Sequence, residues 1–192
     1  MKIAVGVSAR HIHLTNEVYN NLFFDEIEKR NDLTQTGEYA SLSVLTIKTD
    51  KGSIDNVRVL GPLRNYNQIE ISKTDAIKLG INPPVRKSGD VLETPGITLI
   101  GPKGEVTLDN GVILAKRHIH MSSEFARKYN IKEDSPIKVR IDGVKGLYKG
   151  KLCEEIIAFS KVSDNFNLEL HIDTDEANAF LLKNGDEVEI LV

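Results

Sequence analysis

The chain has little of several things, and each shortage narrows what it does. A single cysteine, Cys153, rules out an internal disulfide and leaves no CxxC pair for a zinc ribbon or a redox couple. It sits beside Leu152 in a partly apolar run, where a packed, inert thiol is the expectation. No apolar stretch approaches the roughly 20 residues of a membrane span. The opening Met1-Lys2-Ile3-Ala4-Val5-Gly6-Val7 is too short, and too soon followed by Arg10, to read as a signal peptide. There is no excess of basic charge: 25 Lys and Arg stand against 28 Asp and Glu, net −3, so bulk attraction to nucleic acid or anionic membrane is not expected. Walker, GxGxxG and GxSxG motifs are missing as well. The expectation is a soluble, cytoplasmic protein without nucleic-acid or membrane partners.

Histidine is scarce too, with five in 192 residues, yet four of the five fall in two copies of one motif. Arg10-His11-Ile12-His13-Leu14 returns as Arg117-His118-Ile119-His120-Met121, and each copy is followed shortly by a glutamate, Glu17 or Glu124. On a helix, residues i and i+2 point about 200° apart, whereas on a strand they share a face. Both copies follow β-type runs, so each presents two imidazoles to one side of a sheet. Imidazole is a ligand for zinc and similar metals. A packed or hydrogen-bonded histidine pair is the plainer reading of one HxH; two copies in a histidine-poor chain favour ligands.

The surrounding pattern is mainly β with short helices. Alternating Ile3, Val5 and Val7 mark a first strand. Residues 15–30 read as a helix capped by Thr15, with Leu22, Phe23 and Ile27 as its apolar stripe. Residues 43–48 and 54–60 form a hairpin about Thr49-Asp50-Lys51-Gly52, and a second hairpin turns at Gly101-Pro102-Lys103-Gly104. Strands are expected over 68–72, 97–100, 105–108, 112–115, 137–141, 146–152 and 166–172, with a last turn and strand over 185–190. Short helices are expected over 73–79, stopped by Gly80, and over 122–129 and 174–182. The regular βαβ alternation of a parallel sheet is absent. The two HxH motifs, and the echo of Ser72-Lys73-Thr74-Asp75-Ala76 in Asp173-Thr174-Asp175-Glu176-Ala177, suggest two similar halves, drawn as two small β-barrels with capping helices.

The fifth histidine lies in Glu169-Leu170-His171-Ile172-Asp173, whose polar residues share a strand face. His171 is the candidate to complete a site with His118 and His120. Asp173 either orients a ligand from behind or caps the helix at Thr174, and the cap is favoured. For His11 and His13 the chosen third ligand is Glu70, on the polar face of its strand with Gln68 and Ser72; an exposed strand glutamate is the alternative. Three protein ligands leave open coordination positions, the arrangement of a catalytic metal. Arg10 and Arg117 point away from the histidines under strict alternation. Arg64 and Arg86 lie in loops, where arginines are usually solvated, but beside a metal a guanidinium suits phosphate.

These segments together resemble a known family. Gly6-Val7-Ser8-Ala9-Arg10-His11-Ile12-His13-Leu14, Val57-Arg58-Val59-Leu60-Gly61-Pro62, Gln68-Ile69-Glu70-Ile71-Ser72, Ala115-Lys116-Arg117-His118-Ile119-His120-Met121 and Leu170-His171-Ile172-Asp173-Thr174-Asp175-Glu176-Ala177-Asn178 are similar to the phosphate propanoyltransferases of propanediol-utilisation type. The resemblance runs through nearly the whole chain in order. It implies two β-barrels capped by short helices, with the N-terminal strand joining the C-terminal barrel: residues 10–115 as an inserted first barrel, and 1–9 with 116–192 as the second. It implies a metal site between the barrels with two zinc ions per chain, one on His11, His13 and Glu70, the other on His118, His120 and His171. It implies acyl-CoA and inorganic phosphate as substrates, propanoyl-CoA or acetyl-CoA giving acyl phosphate and coenzyme A. Arg64 matches the phosphate-positioning arginine. Related proteins form oligomers, so a homo-oligomer is expected. Members sent to bacterial microcompartments often carry an extra N-terminal segment; with the first strand beginning at residue 2, a free cytoplasmic enzyme is the expectation and the compartment lumen the alternative. The rival readings are a zinc-dependent thioester or phosphoester hydrolase and a non-enzymatic metal-binding scaffold.

Overall fold

The computed structural model describes residues 1–142 and 153–192. In order the chain forms β1 (Lys2–Ser8), β2 (His11–His13), α1 (Asn16–Leu22), β3 (Lys29–Asp32), β4 (Tyr39–Lys48), β5 (Ser53–Gly61), β6 (Gln68–Glu70), α2 (Lys73–Leu79), β7 (Val85–Arg86), β8 (Ile97–Ile100), β9 (Glu105–Leu108), β10 (Val112–Ala115), β11 (His118–Met121), α3 (Ser123–Lys128), β12 (Pro136–Asp142), β13 (Cys153–Val162), β14 (Glu169–Asp173), α4 (Thr174–Phe180) and β15 (Glu187–Leu191). The strand expected over residues 146–152 and the Cys153 thiol lie outside what is described. Among the described residues no helix is long and apolar enough to cross a membrane.

The chain divides into two compact units, Met1–Ser8 with Lys116–Val192, and Ala9–Ala115. The first is a closed barrel of six strands in the order β1-β14-β11-β13-β12-β15, with β15 returning to pair with β1. The second is a nine-stranded sheet, ordered β7-β10-β6-β2-β5-β4-β8-β9 with β3 added against β4, that curls as a half-barrel. The mainly β architecture with short helices is therefore the one the sequence pattern gives.

Alternation explains the cores. In β12 the side chains of Ile137, Val139 and Ile141 are buried while those between them reach outward. Together with Ile3, Val5, Ile119, Met121, Leu170, Ile172, Val188 and Ile190 they fill the barrel. The other unit has its own cluster, built on Ile12, Leu14, Leu22, Ile47, Val57, Val59, Ile69, Leu79 and Leu99. Both lists include the residue between the two histidines of an HxH, so each motif is fastened to a core by its isoleucine.

Three expectations change. The helix expected over 15–30 stops at Leu22: Phe23 leaves helical geometry, and the Leu22 carbonyl is satisfied from outside the helix by the Lys103 N–H at 3.0 Å. Phe23 turns extended and stacks on Tyr19, Phe24 is left exposed, and residues 29–32 become β3. The strand expected from 166 begins at Glu169, since the Phe166 N–H closes a turn onto the Ser163 carbonyl. β13, which the pattern left unassigned, joins β12 on one side and β11 on the other. Its run Ile156-Ile157-Ala158-Phe159 lacks alternation by residue type, although Ile156 and Ala158 are buried and Ile157 is exposed.

Candidate functional site

Both HxH motifs are strands, and in each the two imidazoles share a face with ring centroids 5.0 Å apart for His11 and His13 and 4.6 Å for His118 and His120. The antiparallel neighbour carries the third group. On β6, Glu70 stands opposite His11. On β14, His171 stands opposite His118. The parallel neighbour on the other side is β5 for the first motif and β13 for the second. The repeat legible in the sequence is thus a repeat of strand pairing, with one carboxylate replaced by one imidazole.

The structure brings together the groups chosen from the sequence. Among the described residues, His11, His13 and Glu70 offer ligand atoms within 4.8 Å of one another, and so do His118, His120 and His171. Glu70 Oε2 is 3.4 Å from His11 Nε2, and Glu70 Oε1 is 4.0 Å from His13 Nε2. In the other cluster His118 Nε2 and His120 Nε2 are 3.2 Å apart. The first histidine of each motif is oriented alike. Nδ1 of His11 bonds the Ala9 carbonyl at 2.9 Å, and Nδ1 of His118 bonds the Lys116 carbonyl at 2.8 Å. A carbonyl only accepts, so both Nδ1 atoms carry a proton, and in the neutral rings both Nε2 atoms turn a lone pair toward the cluster. Burial opposes a charged His11, but the charge and hydrogen bond of Glu70, with the Ala9 carbonyl, outweigh it and leave the His11 pKa above its ordinary value; Arg64 works the other way.

Arg64 is wired to the first cluster. Its Nη1 donates to Tyr66 Oη at 2.8 Å and to Ser88 Oγ at 3.1 Å, while Nη2 meets Glu38 Oε1 at 2.9 Å. Gln68 Nε2 donates to the same Ser88 Oγ at 3.1 Å and to Glu70 Oε1 at 2.6 Å. The Gly89 N–H holds the Gln68 carbonyl oxygen at 2.7 Å, which fixes the amide's orientation. The Arg64 N–H also bonds the Leu14 carbonyl at 2.8 Å, one residue beyond the first HxH. Arg86, the other loop arginine, pairs with Asp90 at 3.4 Å.

The motif arginines turn away from the histidines, as alternation requires. Arg10 makes two bonds of 2.8 Å to the Asp75 carboxylate, and Arg117 Nε lies 2.8 Å from Glu176 Oε1. Asp75 and Glu176 are equivalent: each is the third residue of a helix whose capping box opens at Ser72 or Asp173. Asp173 therefore serves as the cap, its Oδ1 receiving the Glu176 N–H at 2.8 Å. Burial raises the Glu176 carboxyl, an effect that Arg117 opposes.

Four residues of these surroundings escaped the sequence reading. Tyr66 lies in the same loop as Arg64, two residues on, while Glu38 and Ser88 reach it from two other loops, and no spacing signals that convergence. Phe166 lays its ring 4.3 Å from that of His120. A further one, Glu169, was visible only as a polar residue sharing a strand face with His171; it is buried, with Oε2 2.5 Å from His171 Nε2.

Comparison with known proteins gives a consistent answer. A family model described as phosphate propanoyltransferase matches residues 4–183. The chain is 46% identical over 192 residues to a phosphate propanoyltransferase of Thermotoga maritima, covering 98% of this chain and 89% of that one. It is 44% identical over 191 residues to one of Rhodopseudomonas palustris (98% and 82%) and 44% over 186 residues to one of Priestia megaterium (96% and 83%).

Proposed function

The chain belongs to the phosphate propanoyltransferase family, and on that premise we propose that it exchanges short-chain acyl groups between coenzyme A and phosphate with two zinc ions and Arg64. Propanoyl-CoA and acetyl-CoA are the acyl donors in this reading, and the products are acyl phosphate and free coenzyme A. The observation that carries it is the pair of three-donor clusters, one of which reaches Arg64 through Gln68 and Ser88. Nitrogen donors with at most one carboxylate suit zinc, and three protein donors leave room for substrate. His11, His13 and Glu70 would hold one ion, and His118, His120 and His171 the other. When bound, zinc supplies Lewis acidity for the thioester carbonyl or the departing thiolate.

The chain's own part is positioning. The guanidinium of Arg64 offers a fork of N–H donors matched to phosphate oxygens. It is held by Glu38, Tyr66 and Ser88, so the anion meets an oriented partner, and Glu38 is the carboxylate that phosphate displaces or shares. Fixing phosphate beside the thioester removes much of the entropic cost of bringing two reactants together. A phosphate oxygen then bonds the carbonyl carbon as the C–S bond breaks, and the sulfur leaves as the coenzyme A thiolate. No side chain need become acylated, and Cys153 is not the nucleophile.

The test follows free thiol released from propanoyl-CoA. Release that rises from background with added phosphate, with acyl phosphate formed in equal amount, is expected. Release independent of phosphate would mean a hydrolase and refute the transferase.

A further inference from the structure

The two clusters share a second correspondence, which rests on the metal reading above. On β6, Glu70 faces His11 and Gln68 faces His13. On β14, His171 faces His118 and Glu169 faces His120. Gln68 and Glu169 thus hold equivalent places, each two residues ahead of the third donor on the same strand face. Both are buried. Each touches the third donor of its own cluster: Gln68 Nε2 with Glu70 Oε1 at 2.6 Å, Glu169 Oε2 with His171 Nε2 at 2.5 Å. Donor and acceptor have changed sides. An amide N–H supports a carboxylate in one cluster, and a carboxylate receives an imidazole N–H in the other.

Glu169 is not one of the donors that converge within 4.8 Å in its cluster. Glu169 as a residue is 6% exposed, a burial its carboxylate tolerates only with partners, and the one its own strand face supplies is His171. The neighbouring strand makes room for the contact. Gly6 on β1 is level with His171, and a Cβ there would stand 2.9 Å from Glu169 Cδ and 3.0 Å from His171 Nε2. The glycine is needed for space, since hydrogen alone fits where carboxylate and imidazole meet.

We propose that Glu169 is the positioning residue of the second cluster: it accepts the Nε2 proton of His171, fixes that ring's tautomer and rotation, and leaves the lone pair on the other ring nitrogen for the metal. Gly6 provides the space in which it does so. Each cluster then has one carboxylate, Glu70 as a direct donor in the first and Glu169 behind a histidine in the second.

The test is zinc affinity, measured by competition with a chromophoric chelator in a His11→Ala chain, where only the second cluster reports. Glu169→Gln is expected to weaken zinc binding about 10–100-fold, while saturating zinc still loads the site. Glu169→Asp, which keeps the carboxylate, recovers part of the loss, and Gly6→Ala weakens binding in the same direction as Glu169→Gln. Far-UV circular dichroism of the metal-free proteins checks that each is folded. Unchanged affinity in Glu169→Gln or in Gly6→Ala overturns the proposal. Failure of Glu169→Gln to load at saturating zinc also overturns it, because Glu169 would then be a direct ligand. If the unsubstituted chain binds no zinc, the metal reading itself falls; if it binds zinc and Glu169→Gln is indifferent, only the role of Glu169 does.

Discussion

His11 shows how the first cluster behaves on its own. The Glu70 carboxylate favours a proton on its imidazole against the cost of burial, so the folded pKa lies above the unfolded value of about 6.5. The sign of the linkage follows: the stabilisation is complete below the unfolded pKa and is lost as pH rises through the higher folded one. Metal-free protein is therefore expected to lose melting temperature across that window, and Glu70→Gln to flatten the loss. An unchanged profile in Glu70→Gln would place the effect elsewhere. For turnover, His118→Ala is expected to abolish activity and Cys153→Ala to leave it nearly intact, both read in the thiol-release assay. Arg64→Ala is expected to raise the KM for phosphate far more than that for acyl-CoA, because the proposal assigns the guanidinium to phosphate and not to acyl-CoA; equal rises would refute its assigned place.

At the scale of elements, the two arginine-to-cap contacts tie each HxH strand to the helix that follows its antiparallel neighbour. Arg10 braces β2 against α2, and Arg117 braces β11 against α4. This explains why the motif begins with arginine although that side chain faces away from the histidines. Asp173→Ala removes the cap side chain of α4 and is expected to cost on the order of 1 kcal/mol in denaturant unfolding. Arg10→Ala leaves the buried Asp75 carboxylate with its cap bonds only. The arginine is largely solvated, so a loss of about 1 kcal/mol is expected. A loss several times larger would show that the pair also holds the strand in register.

For the whole molecule, the two units each have a closed apolar core that owes nothing to a metal. Chelation is therefore expected to remove activity while far-UV circular dichroism stays unchanged, unlike a structural zinc domain that unfolds when stripped. Coincident loss of both signals would assign the metals a structural role. Within the cores, Leu99→Ala in one unit and Leu170→Ala in the other should each cost about 2–5 kcal/mol, since both side chains are wholly buried.

By itself the sequence determined the strand-borne histidine pairs, because a period of two needs only the local backbone. It also determined the caps at Ser72 and Asp173, where side chain and backbone are neighbours in the chain. The choice of Glu70 and His171 was legible for a related reason: each sits on the polar face of a short alternating strand. Tertiary structure alone decided what depends on pairing between distant segments. The register that sets Glu70 against His11 and His171 against His118, the early end of α1 beside a carbonyl bonded by Lys103, and the meeting of Glu38 and Ser88 at Arg64 are of this kind. So is the burial of Glu169 against His171 over the missing side chain of Gly6. Two residues apart on one strand, Glu169 and His171 were always going to share a face; that they touch, and that a third strand yields space for them, is a property of the closed barrel.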